Sequence, residues 1–285
     1  MGQLFYGSTL SETLLQQMKG KVEAYLAKGY RAPHLDTILV GDDPASLSYI
    51  KGKHNKCLLV GIENEVHHLD ANITQEELEK EIQKCNEDPS SDGILLQMPL
   101  PKHLDENKAI LAIDPSKDVD GLHPFNIGML FSGEHKFVPC TPLGVMKILE
   151  ALKIDLTGKQ AVVIGRSRLV GNPVARLLQD ANATVTICHS KTKDLASVTS
   201  QADILVVAMG RPQVITSSYV KEGAVVIDVG INRVEGHIVG DVDTQDVLDK
   251  VEYITPVPKG VGPMTICALL LNTLQSYEER ENICK

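Results

Sequence analysis

No two of the six cysteines of this chain (Cys57, Cys85, Cys140, Cys188, Cys267 and Cys284) stand in a C-x-x-C pair. Scattered single thiols exclude a disulfide frame and the usual zinc spacings, and they fit a reduced compartment. His67-His68 with Asp70 is the nearest approach to a metal cluster. Adjacent side chains rarely converge on one ion, so a solvated loop is expected there and no metal site anywhere. Long apolar runs are missing too, so no membrane span is expected. The first residues lack the basic-then-apolar layout of a signal peptide, which points to a cytoplasmic protein. A basic excess is also lacking: 28 Lys and Arg against 37 Asp and Glu leave a net charge of −9. That balance argues against general nucleic-acid or anionic-membrane partners. Repeats and low-complexity tracts are absent from the sequence.

What remains is the composition of a globular protein, 43% hydrophobic and 23% charged over 285 residues, long enough for two ordinary domains. Leu14, Met18, Val22 and Tyr25 keep a helical period over 11–28. A buried strand at 36–41 ends at Gly41-Asp42-Asp43-Pro44, and Ser46 or Ser48 then caps a helix running to about Gly61. Tyr49 and Lys53, four apart, share one face of that helix. Thr74 with Glu77 opens a second helix through a capping box. Gly93-Ile94-Leu95-Leu96-Gln97 reads as another buried strand, halted by Pro99 and Pro101, and a short helix follows at 105–111. The polar stretch from Lys117 to Pro139 reads as a linker and cleft wall. Thr141-Pro142 starts a helix, strands follow at 160–165, 184–188, 204–208 and 224–229, and a last helix at 264–280 closes the chain. Alternation of this kind predicts an α/β fold with largely parallel strands. Two domains flanking a cleft are expected, the second a Rossmann-like dinucleotide-binding domain. The first covers 1–140 and is joined by the C-terminal helix 266–285; the second covers 141–265.

The nucleotide signal lies in Ala161-Val162-Val163-Ile164-Gly165-Arg166-Ser167, followed by Val170-Gly171-Asn172-Pro173. A strand, a glycine turn and a helix start are the context a dinucleotide fingerprint requires. Gly165 permits the tight turn, Ser167 replaces the second glycine with a hydroxyl donor, and helix-end amides near Gly171 can face a phosphate. The next strand runs through Ile187 into Cys188-His189-Ser190-Lys191 without the acid that would bind the ribose hydroxyls of NAD. Ser190, Arg166 and Lys191 can instead meet a 2′-phosphate. NADP is therefore the expected cofactor.

Together these segments resemble the bifunctional methylenetetrahydrofolate dehydrogenase/methenyltetrahydrofolate cyclohydrolase family over nearly the whole length. The matching blocks are Gly41-Asp42-Asp43-Pro44-Ala45-Ser46 with Tyr49-x-x-x-Lys53, Gly93 through Pro101, Lys117-Asp118-Val119-Asp120-Gly121-Leu122-His123-Pro124, Pro139-Cys140-Thr141-Pro142, Gly165 through Pro173, and Pro256 through Thr265. Met98 stands where the family usually has Leu, a volume-conserving change. Lys259 stands where the family usually has Gly, which costs strain if that position needs a positive φ.

The resemblance implies NADP-dependent oxidation of 5,10-methylenetetrahydrofolate and hydrolysis of the methenyl product to 10-formyltetrahydrofolate. It implies Lys53, Gln97, Asp120 and Tyr49 as catalytic residues. Tyr49 offers a ring for the folate to stack on, Asp120 accepts hydrogen bonds from the pterin, and Lys53 acts as base toward water, oriented by Gln97. Asp118 fits a turn role better. Substrate contacts are implied for Leu96, Met98, Pro258, Gly262 and Pro263, and cofactor contacts for Gly165, Arg166, Ser167, Ser190 and Ile231. A homodimer through the nucleotide-binding half is implied as well. The competing readings are a monofunctional dehydrogenase and a dinucleotide sensor without turnover; a sensor has no need of Lys53, Gln97 and Asp120 together.

Overall fold

The computed structural model describes residues 2–283; Cys284 lies outside the described residues. In chain order the strands are β1 Gln3–Leu4, β2 His34–Val40, β3 Glu63–Leu69, β4 Gly93–Leu96, β5 Gln160–Ile164, β6 Thr184–Cys188, β7 Ile204–Val207, β8 Val225–Asp228, β9 Asn232–Val234, β10 His237–Val239 and β11 Tyr253–Ile254. The helices are α1 Gly7–Ala27, α2 Pro44–Val60, α3 Gln75–Glu87, α4 Glu106–Ala112, α5 Pro124–Ser132, α6 Cys140–Ala151, α7 Gly171–Asp180, α8 Leu195–Thr199, α9 Thr244–Val247 and α10 Val261–Arg280. The chain forms two compact units, Thr13–Val138 with Ile266–Lys285, and Met1–Glu12 with Pro139–Thr265.

The first of these is built on a parallel sheet in the order β3-β2-β4. β4 is buried along its whole length, and so is β2 after His34, because helices cover both faces of a parallel sheet. Ile38, Leu96, Leu78 and Ile82 meet in one apolar cluster with Leu100 and Leu104. Each such side chain contributes roughly 1.5–3 kcal/mol on burial. The last helix is held into this unit by polar contacts as well. Asn272 Nδ2 donates to the carbonyls of Val119 at 2.8 Å and Val138 at 3.0 Å, and the Tyr277 hydroxyl donates to Arg31 O at 2.8 Å.

The second unit carries six strands in the order β1-β11-β8-β7-β5-β6, all paired in parallel. Val162, Ile164, Leu205, Val207 and Val226 are buried in its core. β1 adds to the sheet through Gln3↔Tyr253 and Leu4↔Ile254. Residues 2–12 therefore belong with the nucleotide-motif unit and not with the first domain, where the sequence reading placed them.

Three local expectations also differ. The cap of α2 is Asp43, whose side chain accepts the Ser46 N–H at 2.8 Å, with Pro44 in the first helical turn; neither Ser46 nor Ser48 is the cap. His67 and His68 lie in β3 and not in a solvated loop. The 117–139 stretch contains α5, capped by His123 and followed by Gly133, so it is part of a folded unit and more than a linker. The capping box of Thr74 and Glu77 is present as expected.

Lys259 adopts φ +80°, the left-handed region. An L-residue there costs roughly 1–2 kcal/mol, part of which glycine would give back as lost chain entropy. Lys259→Gly is expected to stabilise the protein by about 0.5–1 kcal/mol. The check is the urea midpoint: an unchanged or lower midpoint at constant m would show that Lys259 makes contacts that offset its strain.

Candidate active site

Lys53 sits on α2 with its side chain almost fully buried, 9% exposed, while Tyr49 one turn earlier remains open to solvent. Its Nζ lies 5.4 Å from the centre of the Tyr49 ring and donates a hydrogen bond of 3.0 Å to Gln97 Oε1. Gln97 follows the carboxyl end of β4, where its own N–H donates to Ile38 O of the neighbouring strand at 2.9 Å. Its amide nitrogen donates to Met98 O at 2.6 Å, which leaves the amide oxygen to face the amine. The helix, the strand end and the amide thus fix one buried amine in place. Leu96 and Met98 flank Gln97 in sequence, Leu96 within the core and Met98 half-buried.

The two aspartates of the Asp118-Val119-Asp120 turn stand in different surroundings, and Asp118 has the turn role expected of it. Asp118 is 1% exposed, and its carboxylate accepts the N–H groups of Leu122 and His123 and the Asn126 amide at 3.1, 2.8 and 2.8 Å. Burial raises its pKa above the usual carboxylate range, against the pull of those donors. The segment lies beside β4 through a parallel bridge between Ile94 and Asp118. Asp120 is half-buried and carries none of the bonds that hold the turn.

In the other unit Gly165, Arg166, Ser167 and Ser190 line one cavity of about 390 Å³ with His189, Thr192 and Arg211. Gly165 follows β5 at φ +139°, and a Cβ there would run into the Ala208 carbonyl oxygen. A Cβ on Gly171 would meet the Gly165 carbonyl in turn. Both glycines are therefore required by close backbone approach. Ser167 Oγ accepts the N–H groups of Val170 and Gly171 at 3.1 and 3.2 Å, so its hydroxyl shapes the turn that opens α7 and keeps its proton to donate. Ile231 is 59% exposed and is not among the residues lining the cavity. Among the described residues the lining contains two guanidinium groups and no carboxylate, a donor set that fits the phosphates of a dinucleotide.

Arg211 is the cavity residue that sequence reasoning missed. It follows β7 on a loop held by Asp241, which is fully buried and accepts the N–H groups of Met209, Gly210 and Arg211 at 2.7, 2.9 and 2.8 Å. Asp228, at the end of β8, accepts the N–H groups of Gly230, Asp241 and Val242 at 2.9, 3.1 and 2.9 Å. Burial pushes its carboxyl up to about 7. The signal available in the sequence was Gly210-Arg211-Pro212 directly after an apolar strand, the place where α/β sheets present ligand groups.

Pro258, Gly262 and Pro263 belong to the same unit as this cavity and not to the unit of Lys53. Pro258 is exposed, and Gly262 and Pro263 are half-buried at the start of α10. Ser8 N donates to Lys259 O at 3.1 Å, the Ser11 hydroxyl donates to Pro263 O at 3.3 Å, and the Thr141 and Thr265 hydroxyls meet at 3.1 Å.

Two family models match: the tetrahydrofolate dehydrogenase/cyclohydrolase catalytic domain over residues 5–120, and the NAD(P)-binding domain of the same family over 139–281. Among curated proteins, the bifunctional protein FolD of Bacillus cytotoxicus is 52% identical over 280 residues, 98% of each chain. That of Oceanobacillus iheyensis is 53% identical over 277 residues, 97% of each. The crystal structure of the bifunctional FolD methylenetetrahydrofolate dehydrogenase/cyclohydrolase of Campylobacter jejuni superposes with a TM-score of 0.96 at 51% identity, covering 98% of this chain and 100% of that one. The Trypanosoma brucei dehydrogenase-cyclohydrolase, solved with NADP and an inhibitor, gives 0.93 at 37% identity, covering 100% and 99%.

Proposed function

This chain belongs to the tetrahydrofolate dehydrogenase/cyclohydrolase family, and on that premise we propose how its residues divide the two reactions. The enzyme oxidises 5,10-methylenetetrahydrofolate with NADP to the 5,10-methenyl form and hydrolyses that to 10-formyltetrahydrofolate. The observation that carries the assignment is the buried Lys53 amine, held by Gln97 at 3.0 Å beside the Tyr49 ring.

When bound, NADP supplies the hydride acceptor. Arg166, Arg211 and Ser190 bind its phosphates, and Gly165 and Gly171 let the backbone approach them. The lack of a carboxylate in the lining favours a 2′-phosphate over free ribose hydroxyls. Leu96 and Met98, beside Gln97 in the same unit, contact the folate. Tyr49 stacks on its aromatic system, and Asp120 accepts from the pterin amino group and ring N–H. Oxidation then depends mainly on orientation. Hydrolysis needs more. Water attacks the cationic methenyl carbon; as the new C–O bond forms, one water O–H bond breaks and its proton passes to the Lys53 amine. In the collapse of the adduct the carbinol O–H bond breaks as the C=O bond forms, one of the two C–N bonds of the one-carbon bridge breaks, and the departing nitrogen takes a proton back from the Lys53 ammonium, which leaves the formyl group on the other nitrogen. Gln97 accepts one N–H of the amine and so directs its lone pair at the water.

We propose further that the protein acts in the cytoplasm as a homodimer joined through the nucleotide-binding unit. No helix among the described residues is long and apolar enough to cross a membrane. β6 is an edge strand with Ile187 41% exposed, and a strand edge of this kind offers unpaired backbone groups to a second copy. Light scattering should give twice the chain mass of 31.0 kDa; a single-chain mass at assay concentration would refute the dimer.

For the cofactor, Arg211→Ala and Arg166→Ala should each weaken NADP binding by about ten- to a hundredfold, the worth of a charge-assisted hydrogen bond. Fluorescence titration with NADPH measures it, and unaltered affinity in both variants would place the phosphates elsewhere. For the reaction, Lys53→Met keeps the side-chain length and removes the base. Methenyl hydrolysis should fall by about 10²–10⁴-fold, with a smaller loss of NADPH production and accumulation of the methenyl compound. Hydrolysis at the parent rate would mean that another group is the base, and equal loss of both steps would reduce Lys53 to a binding residue.

A further inference from the structure

Asp36 occupies a position where a parallel strand ordinarily buries an apolar side chain. It is 2% exposed near the amino-terminal end of β2. Its Oδ1 meets two imidazoles, His67 Nε2 at 2.7 Å from β3 and His34 Nε2 at 3.3 Å. The buried Ser91 hydroxyl is the neighbour placed to bond the same carboxylate. Cys85, buried on α3, brings Sγ to 3.7 Å from the same His67 nitrogen. A carboxylate, an imidazole and a thiol from three separate elements thus present ligand atoms within 4.8 Å of one another.

We propose that Asp36, His67 and Cys85 form a binding site for a divalent transition-metal ion of the zinc class, with His34 holding the carboxylate from outside. The donor set selects the ion. Sulfur, nitrogen and oxygen ligands together suit zinc and its neighbours, whereas magnesium and calcium call for shells made of oxygen. The Sγ to Nε2 separation of 3.7 Å is close to that of adjacent ligands on a tetrahedral ion with bonds of about 2.3 and 2.0 Å. The ion takes the place of the proton shared by His67 Nε2 and Asp36 Oδ1, whose separation of 2.7 Å opens to the roughly 3.3 Å of adjacent ligands on a tetrahedral ion. On binding, the Cys85 S–H bond breaks, an S–metal bond forms and a proton leaves to solvent.

The site is distinct from the Lys53–Gln97 pair. Gln97 follows the carboxyl end of β4, while Asp36 lies nearer the opposite end of the parallel sheet, level with Ile94 of β4. Its role is therefore structural: one ion would tie β2, β3 and α3 together. Sequence spacing hid it, because His67 finds its partners 31 and 18 residues away and not in His68 or Asp70.

Untagged full-length protein, stripped with a chelator and titrated with Co²⁺, tests the proposal. One equivalent should bind and give the near-ultraviolet thiolate-to-cobalt charge-transfer band, and Zn²⁺ should displace it and raise the melting temperature. Cys85→Ala should abolish the band. His34→Ala should keep the band and weaken binding by about 10–100-fold, as loss of a supporting hydrogen bond does. His67→Gln serves as the second ligand variant should Cys85→Ala fold poorly, and His68→Ala should bind as the parent does. No charge-transfer band in the stripped parent protein, or a band that survives in Cys85→Ala or His67→Gln, would overturn the site.

Discussion

A single hydrogen bond, 3.0 Å from Lys53 Nζ to Gln97 Oε1, ties the helix after β2 to the end of β4. Much of the Lys53 unit converges on making that bond possible. Parallel pairing of β2 with both neighbours brings the carboxyl ends of all three strands to the same side of the sheet. The Asp43 cap and Pro44 start α2 directly after β2, so its fourth turn-facing positions fall over those ends. Met98 O takes the amide nitrogen of Gln97, which turns the oxygen toward the amine. A lysine buried in this way is costly unless it is partnered, and the partner also gives it direction. That constraint separates Lys53, the proposed base, from a surface lysine of the same helix such as Lys51, which is exposed.

The nucleotide unit solves a different problem, bringing backbone close to an anion. Its means are two glycines without room for a Cβ and two buried aspartates that collect backbone N–H groups. Asp241 holds the loop that carries Arg211, and Asp228 holds the backbone of Asp241 in turn. A guanidinium therefore meets the cavity with its main chain already fixed, so less freedom is lost when a phosphate arrives. The carboxylates stay behind the loop, saturated by N–H groups, and leave the lining positive.

Regular apolar patterning made most of the scaffold readable. β4 and β5 are continuous apolar runs, the Thr74 box announces α3, and Gly165 announces the turn after β5. β3 was hidden because Glu63-Asn64-Glu65-Val66-His67-His68-Leu69 is an edge strand, half solvated and polar in sequence. β1 was hidden because two residues carry no period at all, and only their pairing with β11 defines them. α5 lay inside a polar stretch whose proline reads as readily as a loop breaker as a first helical residue. In the site, Lys53, Gln97 and the Gly165-Arg166-Ser167 turn were visible as motifs. Arg211 was not, because its place depends on a buried carboxylate 30 residues further along. Ile231, expected at the cofactor, is not in the lining of the cavity.

The central claim is that hydrolysis depends on a directed amine and oxidation does not. Replacing Gln97 tests it without touching Lys53. Gln97→Met has a side chain of similar length and removes the Gln97 amide oxygen that accepts from the amine. Rates of methenyl hydrolysis and NADPH formation would be measured on the same preparation. The account predicts that hydrolysis falls at least about tenfold more than hydride transfer, since only the former uses a proton-transfer geometry. Equal losses in both rates, or an unchanged rate of hydrolysis, would contradict it.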